Sequence, residues 1–183
     1  MKSPLYFIIR PMNNEEYINK LDSGLIVNTS VEDHEYTQRM AVVSIVPIGY
    51  SGRIKEGDTV ILHHNTFRTQ YDNQGFPRDS MYKIAENLYY IDESLIYGVI
   101  MEDNTIEALL PFCFVEPIDE ESTFEGVIEV EREGILSAIS KEFESEGFCP
   151  GDRVFFKRDS EYEFNINGKR LYMMNQNRIL CKV

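Results

Sequence analysis

Apolar residues along the chain fall in short runs, most of them four to six residues long, separated by turn-forming residues. Leu5–Ile9 (LYFII) ends at Pro11, and Ala41–Val46 (AVVSIV) ends at Pro47. Thr59–Leu62 (TVIL) follows a Gly57-Asp58 turn, and Leu88–Ile91 and Leu95–Ile100 are split by Asp92-Glu93-Ser94. Phe112–Val115 is stopped by Pro117. Val127–Val130, Ile135–Ile139, Arg153–Phe156, Tyr162–Ile166, Leu171–Met174 and Ile179–Val183 complete the set. Runs of this length, rich in β-branched and aromatic residues, predict strands. Asn167-Gly168 between Ile166 and Leu171 predicts a tight hairpin, because both residues tolerate the positive φ of a type I′ turn. Helical periodicity is weak, with two turns over Asn14–Leu21 and one or two over Ser137–Glu146. The expected class is all-β, built as small barrels or sandwiches.

Four blocks recur in the same order. Tyr6–Pro11 (YFIIRP) pairs with Phe112–Pro117 (FCFVEP), and Val42–Val46 with Ile135–Ile139. Glu56–Leu62 (EGDTVIL) pairs with Pro150–Phe156 (PGDRVFF), and Leu88–Ile91 (LYYI) with Leu171–Met174 (LYMM). The chain therefore reads as two copies of one unit, residues 1–103 and 107–183, joined by a polar connector in Met101–Glu107. The copies differ between their first two blocks. Copy 1 has 30 residues there (Met12–Ala41), and copy 2 has 17 (Ile118–Gly134). A long segment inside a compact domain is usually functional or disordered. Within it Leu25-Ile26-Val27 is an apolar triplet flanked by Asp22-Ser23-Gly24 and Asn28-Thr29-Ser30. The residues alone allow two readings, a further core strand or an exposed anchor. Copy 1 also carries an 11-residue excess at Arg68–Glu86, read as an ordered surface loop around Gly75-Phe76-Pro77.

The formal net charge of −13 argues against general nucleic-acid binding, where a basic stripe is expected. The acidity concentrates between Glu116 and Glu146, with 11 acids against two bases, and Pro150–Val183 is net basic. No apolar run reaches the length of a membrane span, and the first residues lack a signal-peptide pattern, so the expectation is a cytoplasmic chain that meets no membrane. Cys113, Cys149 and Cys181 are widely spaced and odd in number, which gives neither a disulfide framework nor a CxxC metal motif, and they are read as reduced. His63-His64, at a strand end, are expected on opposite faces and without a shared metal. No phosphate-binding, nucleophile-elbow or zinc-protease motif occurs. The expectation is a protein with no catalysis, no cofactor and no metal.

Residues 150–183 resemble the chaperonin-10 family, the GroES-type co-chaperonins, some of them phage-encoded: a Gly-Asp turn, an apolar strand, a hairpin, a strand rich in Leu and Met, a polar turn and a last strand. Asp92-Glu93-Ser94-Leu95-Ile96 of copy 1 is similar to the family's polar turn, and Leu5–Pro11 to its opening strand. Ser23–Ser30 (SGLIVNTS) resembles the family's mobile loop. The resemblance implies two GroES-like small β-barrels in tandem, with a long mobile loop over about residues 15–38 of the first and a shortened loop in the second. It implies that Gly24, Leu25, Ile26 and Val27 bind a chaperonin (GroEL-type) ring. It further implies a homo-oligomeric, sevenfold ring of chains that caps the cage around an unfolded client protein. Gly49–Lys55 and Lys141–Cys149 are too short for the roof hairpins that family members often carry, and Arg68–Glu86 has no family counterpart. The competing expectation is a structural or assembly adaptor, such as a virion component, that reuses the same barrel.

Overall fold

The computed structural model describes residues 2–17, 37–122, 126–160, 162–166 and 168–183, with only the backbone described at 119–122 and 126–131. It is β-rich and divides into two compact units, Met1–Ile100 and Met101–Val183.

Unit 1 contains β1 (Phe7–Pro11), β2 (Met40–Ile45), β3 (Thr59–Leu62), β4 (Gln70–Tyr71), β5 (Pro77–Arg78), β6 (Lys83–Ala85), β7 (Leu88–Ile91) and β8 (Ile96–Ile100). Its main sheet is antiparallel in the order β6-β7-β1-β2-β3-β8, and β4 and β5 form a separate small hairpin. Unit 2 contains β9 (Ile106–Ala108), β10 (Phe112–Ser122), β11 (Gly126–Ala138), β12 (Arg153–Phe156), β13 (Tyr162–Ile166), β14 (Lys169–Asn175) and β15 (Ile179–Lys182). The order of its sheet is β13-β14-β10-β11-β12-β15. Strand for strand, the two orders are the same.

The repetition extends to register. Ile9 faces Val43, Arg10 faces Val42 and Pro11 faces Ala41; the block-matched residues pair likewise, Val115 with Leu136, Glu116 with Ile135 and Pro117 with Gly134. Both strand pairs shift register at one matched step, Ile8/Ile9 and Phe114/Val115. A second shared shift falls at Ile61/Leu62 and Phe155/Phe156. Each Gly-Asp turn is closed by the same bonds. Gly57 N donates to Val43 O (2.8 Å) and Lys55 N to Asp58 Oδ2 (2.8 Å). Gly151 N donates to Leu136 O (2.7 Å) and Cys149 N to Asp152 Oδ2 (2.7 Å). Both turns need glycine, with φ of 92° at Gly57 and 94° at Gly151, a region that a Cβ disfavours. A bulge has no propensity signal of its own, so its recurrence at matched residues reflects one frame used twice.

The cores repeat as well. Buried Phe7, Ile9, Val43, Val60, Leu62, Tyr89 and Ile91 of unit 1 hold the positions of Cys113, Val115, Leu136, Val154, Phe156, Tyr172 and Met174 of unit 2. Size is exchanged in opposite directions at two of these positions, Phe7 for Cys113 and Leu62 for Phe156, as expected where volume rather than identity is kept.

Two expectations need correction. The strand beginning at Phe112 does not stop at Pro117 but runs to Ser122, and Val127–Val130 and Ile135–Ile139 are one strand, Gly126–Ala138. Pro117 pairs with Gly134, and the ladder shifts register just beyond it, between Pro117 and Asp119, a position of the kind where strands accept proline. Copy 2 thus fills the place of its shortened loop with a long β-ribbon. The short helix expected within Ser137–Glu146 is present as α1 (Lys141–Ser145), capped by Ser140 Oγ accepting from Phe143 N. The rings of His63 and His64 stack at 4.4 Å instead of pointing apart, because β3 ends at Leu62 and His63 caps a 3-10 turn over His64–Thr66. β13 and β14 pair as a hairpin, with Ile166 facing Lys169, where the Asn167-Gly168 turn is expected; Asn167 itself lies outside the described residues. Among the described residues no helix is long and apolar enough to cross a membrane.

Candidate docking site at the neck of residues 18–36

Gly24, Leu25, Ile26 and Val27 lie outside the described residues, as does the rest of 18–36 and with it half of the Asn14–Leu21 segment; the described half is not the helix expected there, since Glu15 is already extended and Tyr17 is bridged to Thr37. The flanks on either side are described. Tyr17 and Thr37 form an antiparallel bridge, and Gln38 N donates to Glu16 O at 3.0 Å. The chain therefore leaves the frame and re-enters it at one point, between β1 and β2.

The return side of this neck is buried. Thr37 and Gln38 are almost without solvent contact, and Gln38 Oε1 accepts from the N–H groups of Arg39 (3.0 Å) and Met40 (3.1 Å). A side-chain oxygen thus does the work of a strand partner where β2 begins.

The departing side is held by charge and by the insertion. The Glu16 carboxylate accepts the Tyr89 hydroxyl and pairs with Lys83 Nζ at 3.0 Å. Lys83 also pairs with Asp79 at 2.9 Å. Asp79 first, and Glu16 with it, hold the Lys83 ammonium in its charged form and raise its pKa, against the effect of burial. Burial, then the Glu16 carboxylate, push the Tyr89 phenol upward, so Tyr89 remains a donor. Its ring packs edge-on against Phe67 at 4.7 Å. Tyr17 adds the last tie, its hydroxyl accepting from Thr69 N at 2.6 Å.

Tyr89 shows how the shared frame was adapted. Its counterpart Tyr172 is equally buried, but there the hydroxyl accepts from Arg170 (2.8 Å), a residue of its own strand. The repeated Leu-Tyr of the fourth block marked the position in sequence, but the Glu16 partner had no local signal.

Unit 2 has the ribbon of β10 and β11 at the same place, with Asp119 facing Glu129, Glu120 facing Ile128 and Ser122 facing Gly126. Lys169 pairs with Glu116 at the ribbon's base (2.6 Å).

The other candidate chemistry does not converge. Burial first, and Arg39 second, lower the His63 pKa, and its Nδ1 accepts from Asn65 N. Among the described residues no three His, Cys, Asp or Glu side chains come together as a metal site. Cys113 is buried, Cys149 and Cys181 are exposed, and all three are free thiols. The chain matches no protein-family model and no curated protein.

Proposed function

We propose that the chain is a tandem co-chaperonin, two GroES-like barrels in one polypeptide, in which unit 1 docks on a chaperonin ring through Gly24, Leu25, Ile26 and Val27. The observation that carries this reading is the bridged neck Tyr17–Thr37, fixed to the sheet by Glu16, Tyr89 and Lys83. A segment whose two ends are held together presents its middle to a partner without loosening the sheet. Leu25-Ile26-Val27 between polar flanks has the chemistry of an extended anchor for an apolar groove. Ordering such a segment costs affinity, which suits a lid that must leave after each cycle. Seven chains would place seven anchors on a sevenfold ring and close the cage around an unfolded client, with nucleotide acting on the chaperonin rather than on this chain.

The test is binding to a GroEL-type ring with and without ATP. Wild type is expected to bind only with nucleotide. Ile26→Asp, which would desolvate an unpaired charge in the groove, is expected to abolish binding with the fold intact. Binding by that variant at wild-type strength would reject the anchor, and an assembly adaptor would show no nucleotide-dependent binding at all.

A further inference from the structure

All three histidines of the chain fall in unit 1, and two of them, His63 and His64, sit where β3 gives way to the Arg68–Glu86 insertion. The second copy of the frame supplies a control. His63 N donates to Leu95 O at 3.1 Å, and at the matched place Lys157 N donates to Arg178 O at 2.9 Å. Unit 2 therefore carries Lys157-Arg158 where unit 1 carries His63-His64. Lys157 and Arg158 are exposed and charged at any ordinary pH, whereas His63 and His64 are half-buried. One position of the backbone holds a fixed charge in one copy and a titratable group in the other.

The contacts of the His63 ring suit its neutral form. Its Nδ1 accepts from Asn65 N at 3.1 Å, which caps the 3-10 turn His64–Thr66. A proton on Nδ1 would set two donors face to face and remove the cap. The ring stacks on His64 at 4.4 Å and meets Tyr97 of β8 at 6.1 Å. Arg39, whose carbonyl accepts from Leu62 N at 2.8 Å, brings a fixed positive charge that acts on both His63 and Tyr97.

The capped turn is also the root of the neck. Thr66 O accepts from the buried Ser80 hydroxyl at 2.7 Å. Phe67 is buried with its ring against Tyr89, the residue that donates to Glu16. Thr69 N donates to Tyr17 Oη at 2.6 Å. On the returning side Arg39 directly follows Gln38, whose N–H donates to Glu16 O at 3.0 Å.

We propose that His63 is an acid-sensitive switch for the neck: its protonation uncaps the His64–Thr66 turn, sets a second cation against Arg39, and loosens the ties of Thr69 to Tyr17 and of Gln38 to Glu16. Burial, and after it Arg39, make the folded state favour the neutral ring. The contribution of the cap is therefore complete above pH 6.5, the ordinary value for histidine, and is lost as pH falls below it. The fixed charges at the matched positions of unit 2 give that unit no such step. The inference is independent of the co-chaperonin reading, since it concerns only what holds the neck.

The experiment measures amide-exchange protection in the full chain by NMR, referenced to unfolded-chain rates, at about pH 7.5 and about pH 5. Protection at Asn65, Thr69 and Gln38 is expected to fall about fivefold at the lower pH, the effect of losing one capping acceptor. Leu136 and Gly151, in the frame of unit 2, are expected to keep theirs within about twofold. His63→Asn removes the titration and keeps a side-chain acceptor, as Asn175 does in accepting from Asn177 N at 3.1 Å. This variant is expected to show equal protection at both pH values. Unchanged wild-type protection at the lower pH overturns the switch. So does an Asn variant that loosens as the wild type does, which would assign the acid response to another group such as His34 or Glu16. Should the Asn variant not fold, Arg39→Gln gives the same decision. The Cε1–H resonance of His63 is then expected to titrate at higher pH than in the wild type, and an unmoved midpoint overturns the proposal.

Discussion

Tyr89 donates its hydroxyl to Glu16, a residue 73 positions earlier in the chain. The bond joins the buried face of β7 to the last turn of chain before the neck. Tyr89→Phe keeps the ring against Phe67 and removes this one donor. Glu16 retains Lys83, so the carboxylate is not orphaned. The expected loss is about 1.5–3 kcal/mol, the range for a hydrogen bond to a charged group, measured by urea unfolding. Amide exchange at Gln38, which donates to Glu16 O, is expected to accelerate more than exchange at Val43 in the middle of β2. Equal acceleration at both would show a general loss of stability instead of a loosened neck.

Much of the frame was legible in the sequence because each copy serves as a control for the other. The Gly57-Asp58 and Gly151-Asp152 turns and the Leu-Tyr starts of β7 and β14 fix block order, and the aligned blocks anticipate register at Ile9/Val43 and Val115/Leu136. Where the copies diverge, local rules had no second witness. Pro117 read as a stop, since one chain position cannot reveal that the ladder shifts register beside it. The β4–β5 hairpin escaped because two-residue strands have no alternation to detect, and a single carboxylate, Asp72, organises its turn. The Glu16–Tyr89–Lys83 ties of the candidate site are polar and long-range. No periodicity carries such contacts.

Gly134 tests how tightly the second frame is closed. A Cβ built there would stand 2.4 Å from Val115 Cγ1 and 2.7 Å from Glu116 O. The matched residue Ala41 carries its methyl, fully buried, without such a clash. Gly134→Ala is expected to destabilise unit 2 by about 1–3 kcal/mol, the usual cost of overpacking. Adding Val115→Ala should recover only part of this, because the Glu116 carbonyl still blocks the methyl. Chemical unfolding of the two variants measures it, and a neutral Gly134→Ala would mean that β10 and β11 can part freely.

The alkaline limb of stability should reflect both units. Burial, and after it Glu93, push the Tyr50 pKa from 10.0 up to about 12, and burial pushes Tyr97 to about 12. The folded state favours the protonated phenols. Their contribution is therefore complete below pH 10 and is lost as pH rises from 10 to 12. Tyr50→Phe is expected to flatten this fall, seen in unfolding midpoints measured across that interval. In unit 2 burial moves the Cys113 thiol from 9.0 to about 12, with the same sign. At pH 8 iodoacetamide should alkylate exposed Cys149 and Cys181 and leave Cys113 untouched until the chain is unfolded.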